Sequence, residues 1–359
     1  MQLEGIGISD KEVSRMIFIK KGNLLQDEAE ALINTVNCVG IMGKGIALQF
    51  KQAYPEVFKE YEKACRREEV QPGKMHFVET KSLFNPKYII NFPTKRHWKN
   101  KSRMEDIESG LVDLVKVIKE LNIKSIAVPP LGCGNGGLKW ADVRPKIETV
   151  FEQLPDIELH LYEPAGSPNP DRIKIGTSRP KMTRSRALFL MLMNDYSVPG
   201  YKLSLLEVQK LAYFLQTVGE PLRLRFEKGK YGPYADNLNH VLQRLDGHFI
   251  RGFGDRNRDA EIYLIDDAEK EAEQFLLEDN EAFEHLEKVR DIIEGYETPY
   301  GLELLATVHW VAKTTPEIKS NVQKVIEEVH NWNERKREVF KEKHIVKAWE
   351  RLGLIGLLN

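Results

Sequence analysis

The chain has 359 residues, of which 42% are hydrophobic and 30% charged, and a net charge of −1 at neutral pH. This composition is typical of a globular protein long enough for two domains, and the longest apolar run, Ala187–Met193, is far too short to span a bilayer. The three cysteines, Cys38, Cys65 and Cys133, have no metal-ligand spacing, so we expect a cytoplasmic protein without a metal site.

Residues 16–163 alternate between strand-like and helix-like patterns. Within one predicted helix, Ile107, Leu111, Leu114 and Ile118 share a face, as the helical period requires. Strands covered by helices on both faces form a three-layer α/β/α sandwich, here with a mixed sheet. The predicted strands are 16–19, 31–37, 75–79, 88–92, 125–128 and 157–162, and the predicted helices are 46–63, 106–121 and 141–153.

The periodic pattern ends at residue 163. The polar, proline-bearing segment 164–184 predicts a linker between a first domain, residues 1–163, and a second domain, residues 185–359. The second domain is predicted to be mainly α-helical, with a strand pair at 222–226 and 262–265. Its predicted helices are 185–194, 203–218, 233–244, 266–277, 280–293, 301–313, 316–331 and 343–352.

Two glycine-rich loops are the most informative motifs. Gly40–Ile46 and Gly132–Gly137 each follow a predicted strand and precede a predicted helix. Glycine lets backbone N–H groups approach a ligand closely, and a helix N-terminus adds positive potential. Two such loops in one α/β domain indicate a cleft that holds a diphosphate from both sides.

The order of these loops with Lys21–Leu25 and Asn34–Asn37 resembles that of macrodomains, which bind ADP-ribose. The resemblance implies adenine near the first motif, the diphosphate between the loops, and the distal ribose at Asn37. Taken alone, Asn34 and Asn37 could equally cap a turn. The implied ADP-ribose contacts are Asn23, Leu24, Asn34, Asn37, Gly43, Lys44, Gly45, Ile46, Pro130, Gly132, Cys133, Gly134, Asn135, Gly136 and Gly137.

Tyr88–Trp98 together with Pro129–Gly134 is similar to the macrodomain branch of DarG antitoxins and related ADP-ribosyl-glutamate hydrolases. In that branch a lysine after a threonine at this strand end is catalytic, which implies that Lys95 attacks the anomeric carbon of the distal ribose. An amine does so only when it is neutral. Residues 85–104 carry six cations and no carboxylate, so we expect neighbouring cations to lower the pKa of Lys95.

Two positions depart from the family pattern. Many macrodomains have aspartate where Asn23 stands, and a neutral amide should bind the adenine amino group more weakly. The protein-directed hydrolases of this branch have an aspartate at the position of Gly136. Its absence favours a DNA substrate over ADP-ribosyl-glutamate.

The basic run after this strand predicts contacts with single-stranded DNA, because cations can follow phosphates while rings stack on bases. The predicted contacts are Arg96, His97, Trp98 and Lys99, and His97 could also assist proton transfer. Strand periodicity places Tyr88 and Phe92 in the core. The alternative is that the lysines form only a solvated loop.

In the second half, Leu205–Leu215 followed by Lys230–Tyr234 resembles the Panacea-type antitoxin domain. Periodicity alone makes the apolar residues of the first segment a core stripe, and Gly232-Pro233 predicts a turn that opens a helix. Residues 259–297 contain fifteen acidic and three basic residues, a net charge of −12, so the remainder carries +11. Such an acidic block is either a solvated helix face or an imitation of DNA phosphates.

Together these patterns favour a two-domain antitoxin. The first domain would hydrolyse the N-glycosidic link between ADP-ribose and a DNA base, with single-stranded DNA as substrate and no cofactor beyond the ADP-ribose ligand. The second would bind the cognate DarT-like toxin, a DNA ADP-ribosyltransferase, and block its DNA groove. The alternatives are a non-catalytic ADP-ribose reader, a hydrolase acting on ADP-ribosylated protein carboxylates, and a toxin-binding protein with a vestigial macrodomain.

Overall fold

The computed structural model describes residues 16–166, 169–197, 200–254 and 260–358. The chain divides into two compact units, Met1–Thr177 and Ser178–Asn359. Within the described ranges, no helix is both long and apolar enough to cross a membrane.

The first unit contains a six-stranded mixed sheet in the order β1-β6-β5-β2-β4-β3. All neighbouring strands are parallel except β3, which runs antiparallel to β4 at one edge. The elements are β1 (Ile17–Lys20), β2 (Ala31–Asn37), α1 (Gly45–Ala53), α2 (Pro55–Arg66), β3 (His76–Glu79), β4 (Tyr88–Lys95), α3 (Met104–Glu120), β5 (Ser125–Val128), α4 (Trp140–Phe151) and β6 (Glu158–Tyr162).

Alternate residues of the central strands supply two cores, one on each face of the sheet. Ile33 and Ile90 pack with the buried faces of α3 and α4. Leu32 and Ile89, one position earlier in each strand, pack on the opposite face with residues of α1 and α2. The predicted three-layer α/β/α arrangement is therefore confirmed.

The helix predicted over 46–63 is two helices, because proline interrupts it. Pro55 has no N–H, and its ring disfavours the helical conformation of the residue before it. Tyr54 accordingly has φ −132° and ψ 69°, and it ends α1 while Pro55 begins α2.

Part of the predicted linker, 164–184, packs on the first unit. A short 3₁₀ helix forms at Pro170–Arg172, and the Ile173 side chain after it is buried. The Gly176 N–H donates to the carbonyl of Gln52, at 2.8 Å. The buried Ile173 side chain and the Gly176 backbone bond thus attach to the first unit a segment whose composition alone predicts a linker.

The second unit is mainly helical around one large core. Its central helix, α10, buries eleven residues. The elements are α5 (Arg184–Tyr196), β7 (Leu203–Ser204), α6 (Leu205–Thr217), β8 (Phe226–Gly229), β9 (Gly232–Ala235), α7 (Leu238–Leu245), β10 (Ile250–Arg251), β11 (Glu261–Leu264), α8 (Ala268–Leu276), α9 (Asn280–Ile293), α10 (Pro299–Thr314), α11 (Val322–His330), α12 (Glu334–Val339) and α13 (Glu342–Leu354).

The strand pair predicted at 222–226 and 262–265 does not form. β8 instead pairs with β9 in a hairpin whose turn is Lys230-Tyr231, and β11 pairs with β7 and β10. Pro233 therefore lies in a strand and does not open a helix. The hairpin is local, so its pairing closes a much shorter loop than the predicted pair would.

A buried charged cluster fixes this hairpin. The Lys210 ammonium donates to the Pro233 carbonyl at 2.7 Å, and the Lys336 ammonium donates to Glu303 at 2.8 Å and to Thr307 at 3.0 Å. Burial and, to a smaller extent, the charge of Lys336 lower the pKa of Lys210 to about 7. The Lys-Tyr-Gly-Pro segment, residues 230–233, is thus held by a buried hydrogen bond from Lys210 of α6, in addition to the apolar residues that this helix buries.

Candidate active site

The three chain segments of the site meet at one edge of the sheet. β2, β4 and β5 are parallel, and β2 lies between the other two, so their carboxyl ends are neighbours. β2 leads into the first glycine loop, β5 leads toward the second, and β4 ends at Lys95. Open α/β sheets bind ligands at the carboxyl ends of their strands.

Asn37 organises the first glycine loop. Its Oδ1 accepts the N–H groups of Val39 at 3.0 Å and Ile41 at 3.4 Å, and its Nδ2 donates to the Ile41 carbonyl at 2.5 Å. The Tyr61 hydroxyl donates to the Asn37 carbonyl at 2.7 Å. The amide is therefore bonded within its own loop, and its predicted contact with a distal ribose stays a prediction.

Asn34 lies inside the molecule. Its side chain is fully buried, and its Nδ2 donates to Asn91 Oδ1 at 2.9 Å. Asn91 in turn is 3.1 Å from His76 Nδ1, which gives His76 the structural place expected of a strand residue. The Asn34 side chain thus packs inside the sheet beneath the site, and its predicted contact with ADP-ribose stays a prediction.

The second glycine loop is tightly closed. The Leu138 N–H donates to the Gly132 carbonyl at 3.1 Å, and Gly132 has φ +69°, a conformation that favours glycine. A Cβ at Gly136 would lie 2.2 Å from the Gly132 carbonyl oxygen and 2.3 Å from Ser102 Oγ. Gly136 therefore has no room for a side chain, and the aspartate of related protein-directed hydrolases would not fit this loop.

The two glycine loops approach each other. A Cβ at Gly45, the first residue of α1, would lie 3.2 Å from Asn135 Nδ2. Gly134, Asn135 and Gly137 are exposed, whereas Gly132 and Gly136 are buried beneath them. The predicted contacts of the second loop thus separate into an exposed rim and a buried base.

Lys95 faces the second loop. Its ammonium donates a short hydrogen bond to the Asn135 carbonyl. Burial lowers the pKa of Lys95, because removing the ammonium from water disfavours its charged form. The direction agrees with the expectation from sequence, but the cause is burial and not the neighbouring cations.

The basic segment after Lys95 is attached at both ends. Arg96 forms a salt bridge of 2.9 Å with the nearly buried Asp106, so its guanidinium is already partnered. At the other end, the Ser102 N–H donates to the Gly136 carbonyl at 3.0 Å. Lys95 and Ser102 therefore contact successive carbonyls of the second loop, those of Asn135 and Gly136.

Trp98 is the most prominent side chain between these attachments. It is 47% exposed, and the Lys99 ammonium lies 5.0 Å from its ring centroid. His97 lies beside it, with ring centroids 5.4 Å apart, and His97 Nδ1 accepts the Lys99 N–H at 3.3 Å. The arrangement presents an aromatic ring and two cations, Lys99 and Lys101, to solvent.

Asn23 and Leu24 lie where β1 ends. Asn23 Oδ1 accepts the Leu25 N–H at 3.0 Å, and its Nδ2 donates to the Arg172 carbonyl at 3.3 Å. Leu24 is buried in the core under α1. Their predicted contact with adenine stays a prediction, in which Asn23 is the more accessible of the two.

A buried carboxylate holds the turn that Asn23 begins. Asp27 accepts hydrogen bonds from Tyr162 at 2.8 Å, Lys20 at 3.0 Å and the Ala29 N–H at 2.8 Å, and it lies 2.6 Å from His160 Nδ1. Burial alone would raise the pKa of Asp27, but these partners lower it below its usual value. The network joins the turn to β1 and β6.

The remaining predicted contacts differ in exposure. Lys44 is exposed directly before α1, and Gly43, Ile46 and Pro130 are partly buried. Cys133 Sγ lies 3.4 Å from the Leu131 carbonyl, and burial raises the pKa of its thiol to about 11. A thiol with a raised pKa is a poor nucleophile, so Lys95 is the better candidate.

The sequence pattern did not single out Ser102, Asp27 or Tyr61, although each shapes the site. Ser102 follows a run of cations, and Asp27 follows a turn, so composition gives them no distinction. Each of them shapes the site through a hydrogen bond to a residue that is distant in the sequence. No group of three or more potential metal-binding His, Cys, Asp or Glu side chains occurs among the residues that the structure describes.

In the second unit, residues 260–297 of the acidic block form β11, α8, α9 and their connections, and Asp259 lies outside the described residues. Several carboxylates are paired, such as Asp279 and Glu281 with Arg184, and Glu294 with Arg351. Phe275 and Leu277 are 50% and 60% exposed beside them. Glu273, Glu278, Asp291 and Glu297 are exposed and form no salt bridge with another described residue.

A six-stranded mixed sheet with helices on both faces and two glycine loops at its carboxyl edge defines a macrodomain protein. The Macro domain family model matches residues 33–147. The chain belongs to the DNA ADP-ribosyl glycohydrolase family: the Thermus aquaticus DNA ADP-ribosyl glycohydrolase is 46% identical over 344 residues, which are 96% of this chain and 95% of that protein.

Two further similarities cover parts of the chain. A DNA ADP-ribosyl transferase-DNA ADP-ribosyl glycohydrolase fusion protein of Thermosipho africanus is 34% identical over 175 residues, 45% of each protein. The macrodomain of Mycobacterium tuberculosis DarG is 58% identical and covers 42% of this chain and all of that one, with a TM-score of 0.42.

Proposed function

We propose that the first unit hydrolyses the N-glycosidic bond between ADP-ribose and a DNA base. The observation that carries this proposal is Lys95, a partly buried lysine with a lowered pKa, whose ammonium is bonded to the second glycine loop. Membership of the DNA ADP-ribosyl glycohydrolase family supports the substrate class.

The geometry suggests how the ligand is held. The exposed residues Gly134 and Asn135 and the N-terminus of α1 would bind the diphosphate, because backbone N–H groups and the helix dipole favour an anion. Lys44, directly before α1, adds a cation at the same end. The two loops then fix the anomeric carbon of the distal ribose relative to Lys95.

Lys95 would act as the nucleophile. Its ammonium first loses a proton, and Nζ then forms a bond to the anomeric carbon while the bond from that carbon to the base nitrogen breaks. The leaving base takes up a proton. Water then releases the lysine from the sugar, which yields ADP-ribose and the free amine. No residue in this scheme requires a metal or another cofactor.

The second glycine loop argues against a protein carboxylate as the modified group. Related hydrolases of that specificity have an aspartate where Gly136 stands, and Gly136 has no space for a side chain. The exposed Trp98 and Lys99 fit a single strand of DNA better, since the ring can stack on a base and the cation can pair with a phosphate. The guanidinium of Arg96 is paired with Asp106, so Arg96 would contribute by holding the basic segment in place.

The decisive experiment measures release of ADP-ribose from ADP-ribosylated single-stranded DNA. We expect Lys95→Ala to lower kcat more than about a thousandfold while ADP-ribose binding is retained. Lys119→Ala, which removes an exposed lysine of α3, is the matched control and should be as active as the wild type. A folded wild type that binds ADP-ribose but releases none would leave a non-catalytic reader.

We also propose that the second unit binds a DNA ADP-ribosyltransferase toxin. The fused transferase and glycohydrolase of Thermosipho africanus supports such a partner. A protein that modifies DNA needs a basic surface for its substrate, and the exposed carboxylates of Glu273, Glu278, Asp291 and Glu297 would occupy that surface in place of phosphates. Both proposed partners, DNA and toxin, would locate the chain in the cytoplasm.

Charge reversal tests this surface. The double variant Glu273→Lys and Glu278→Lys should weaken toxin binding in calorimetry by at least about tenfold, and the loss should shrink at high salt. Glu327→Lys with Glu328→Lys, on the exposed side of α11, is the matched control with the same change in net charge. Equal weakening by both double variants would show that net charge, and not this surface, determines binding.

A further inference from the structure

Two large apolar side chains are exposed in the first glycine loop. Val39 is 43% exposed and Ile41 is 45% exposed, in a stretch, residues 38–42, that carries no charged residue. Exposed apolar side chains are ordinary when they occur singly, but two in one ligand loop form a local apolar surface.

The backbone that carries these side chains is fixed. Asn37 accepts the N–H groups of both residues and donates to the Ile41 carbonyl. Asn37 itself is 7% exposed and is held by the Tyr61 hydroxyl. The apolar surface is therefore preorganised, which lowers the entropic cost of binding a ligand to it.

The chain that leads into this surface is bonded to the end of β4, the strand that carries Lys95. Asn37 and Lys95 are partners in the register of β2 and β4. The Cys38 N–H donates to the Arg96 carbonyl at 3.3 Å, and Cys38 Sγ lies 3.4 Å from the Lys95 carbonyl. Cys38, directly before Val39, thus lies against the backbone of Lys95 and Arg96 at the start of the basic segment.

We propose that Val39 and Ile41 form the subsite for the nucleobase that leaves the anomeric carbon. This inference rests on the proposed function and names the part of the substrate that the two residues recognise. A base has planar apolar faces that gain from contact with the two side chains, whereas a carboxylate leaving group would lose hydration there without compensation. Lys99 and Lys101, farther along the segment, would contact the strand and not the base.

The experiment compares two substrates, an ADP-ribosylated mononucleotide and an ADP-ribosylated single-stranded oligonucleotide, with the double variant Val39→Ser and Ile41→Ser of the full chain. We expect kcat/KM to fall about tenfold on both substrates, because both contain the base, while the ADP-ribose Kd changes less than about twofold. Leucine at both positions should restore the rate. Val112→Ser, a 59% exposed valine on α3, is the matched control.

A second variant separates base from strand. Lys99→Ala with Lys101→Ala should lower kcat/KM only on the oligonucleotide. An unchanged kcat/KM in the serine variant, or an equal loss of ADP-ribose affinity, would overturn the base subsite. A wild type that binds ADP-ribose but cleaves neither substrate would instead overturn the proposed function, and the base subsite with it.

Discussion

At the scale of single residues, Lys95 has an environment that suits a nucleophilic amine. It is partly buried, which favours the neutral form of the amine. Among the described residues its ammonium bonds only to the Asn135 backbone carbonyl, which does not stabilise the charged form as a carboxylate would. The bond to that carbonyl also aims the amine toward the loop that would hold the substrate.

The pH dependence of the rate should report this environment. The neutral fraction of Lys95 grows as pH rises, so the rate should increase with pH and then reach a plateau. Because burial lowers the pKa of Lys95, the midpoint of this rise should lie below about 10.4, the pKa of a free lysine. Single-turnover release of ADP-ribose measured across pH tests this. Lys95→Arg, which stays charged, should be inactive throughout, and a rate that falls as pH rises would contradict the nucleophile assignment.

Gly136 makes a second prediction at this scale. Gly136→Ala places a methyl group against the Gly132 carbonyl and the Ser102 hydroxyl, and such overpacking should lower the free energy of unfolding by about 1–3 kcal/mol and weaken ADP-ribose binding. For stability, Gly134→Ala is the control, because nothing lies within 4 Å of its Cβ position. Thermal unfolding and calorimetry measure both effects, and equal stability of the two variants would refute the steric argument.

At the scale of elements, Asp27 connects the turn after β1 to two strands. Its carboxylate is buried and takes hydrogen bonds from Lys20 on β1, from Tyr162 on β6 and from the turn itself. Since Asn23 begins the same turn, the network holds one end of the candidate ligand site in place. A charge buried with several donors is costly to leave unmatched.

Asp27→Asn should therefore destabilise the chain by about 3 kcal/mol at neutral pH. The folded pKa of Asp27 lies below its unfolded value, so its contribution is present above about pH 4 and is lost as pH falls through the folded pKa. Chemical unfolding at pH 7 and at pH 3 should show a smaller difference between wild type and variant at the lower pH. A difference independent of pH would assign the loss to packing and not to charge.

Much of the fold could be predicted from periodicity, and the exceptions have local causes. The core strands of the first unit lie close to their predicted positions because they are buried on both faces and read as apolar runs. Pro55 divides a helix whose apolar pattern continues across it, and β8 and β9, with four residues each, are too short to show a strand period. The pairings of Asp27, Tyr61 and Ser102 depend on long-range contacts, which no local pattern contains.

At the scale of the whole molecule, the two units carry different chemistry. The first has glycine loops, the partly buried Lys95 and a basic segment, and the second has an acidic block and a core with buried lysines. The candidate residues for hydrolysis all lie before Thr177, and the candidate residues for toxin binding all lie after Ser178. The two proposed activities therefore use separate sets of side chains.

Substitutions in one set should leave the other activity intact. Lys95→Ala should bind the toxin with wild-type affinity, and the Glu273→Lys and Glu278→Lys double variant should release ADP-ribose at the wild-type rate, because neither change reaches the other unit's core. Calorimetry with the toxin and the release assay, each run on both variants, test this. A shared loss would show that the activities depend on one another.

The attachment of Lys95 and Ser102 to successive carbonyls of the second loop has a consequence for how this site can vary. Six residues must cover the distance between two anchors, so the length of the connection is set by the loop it bridges, whatever its composition. Changes of side chain within the bridge alter what it presents to solvent and leave its two attachment points in place. An insertion or deletion would move an anchor, and with it the amine, so sequence diversity here is expected as substitution and not as change of length.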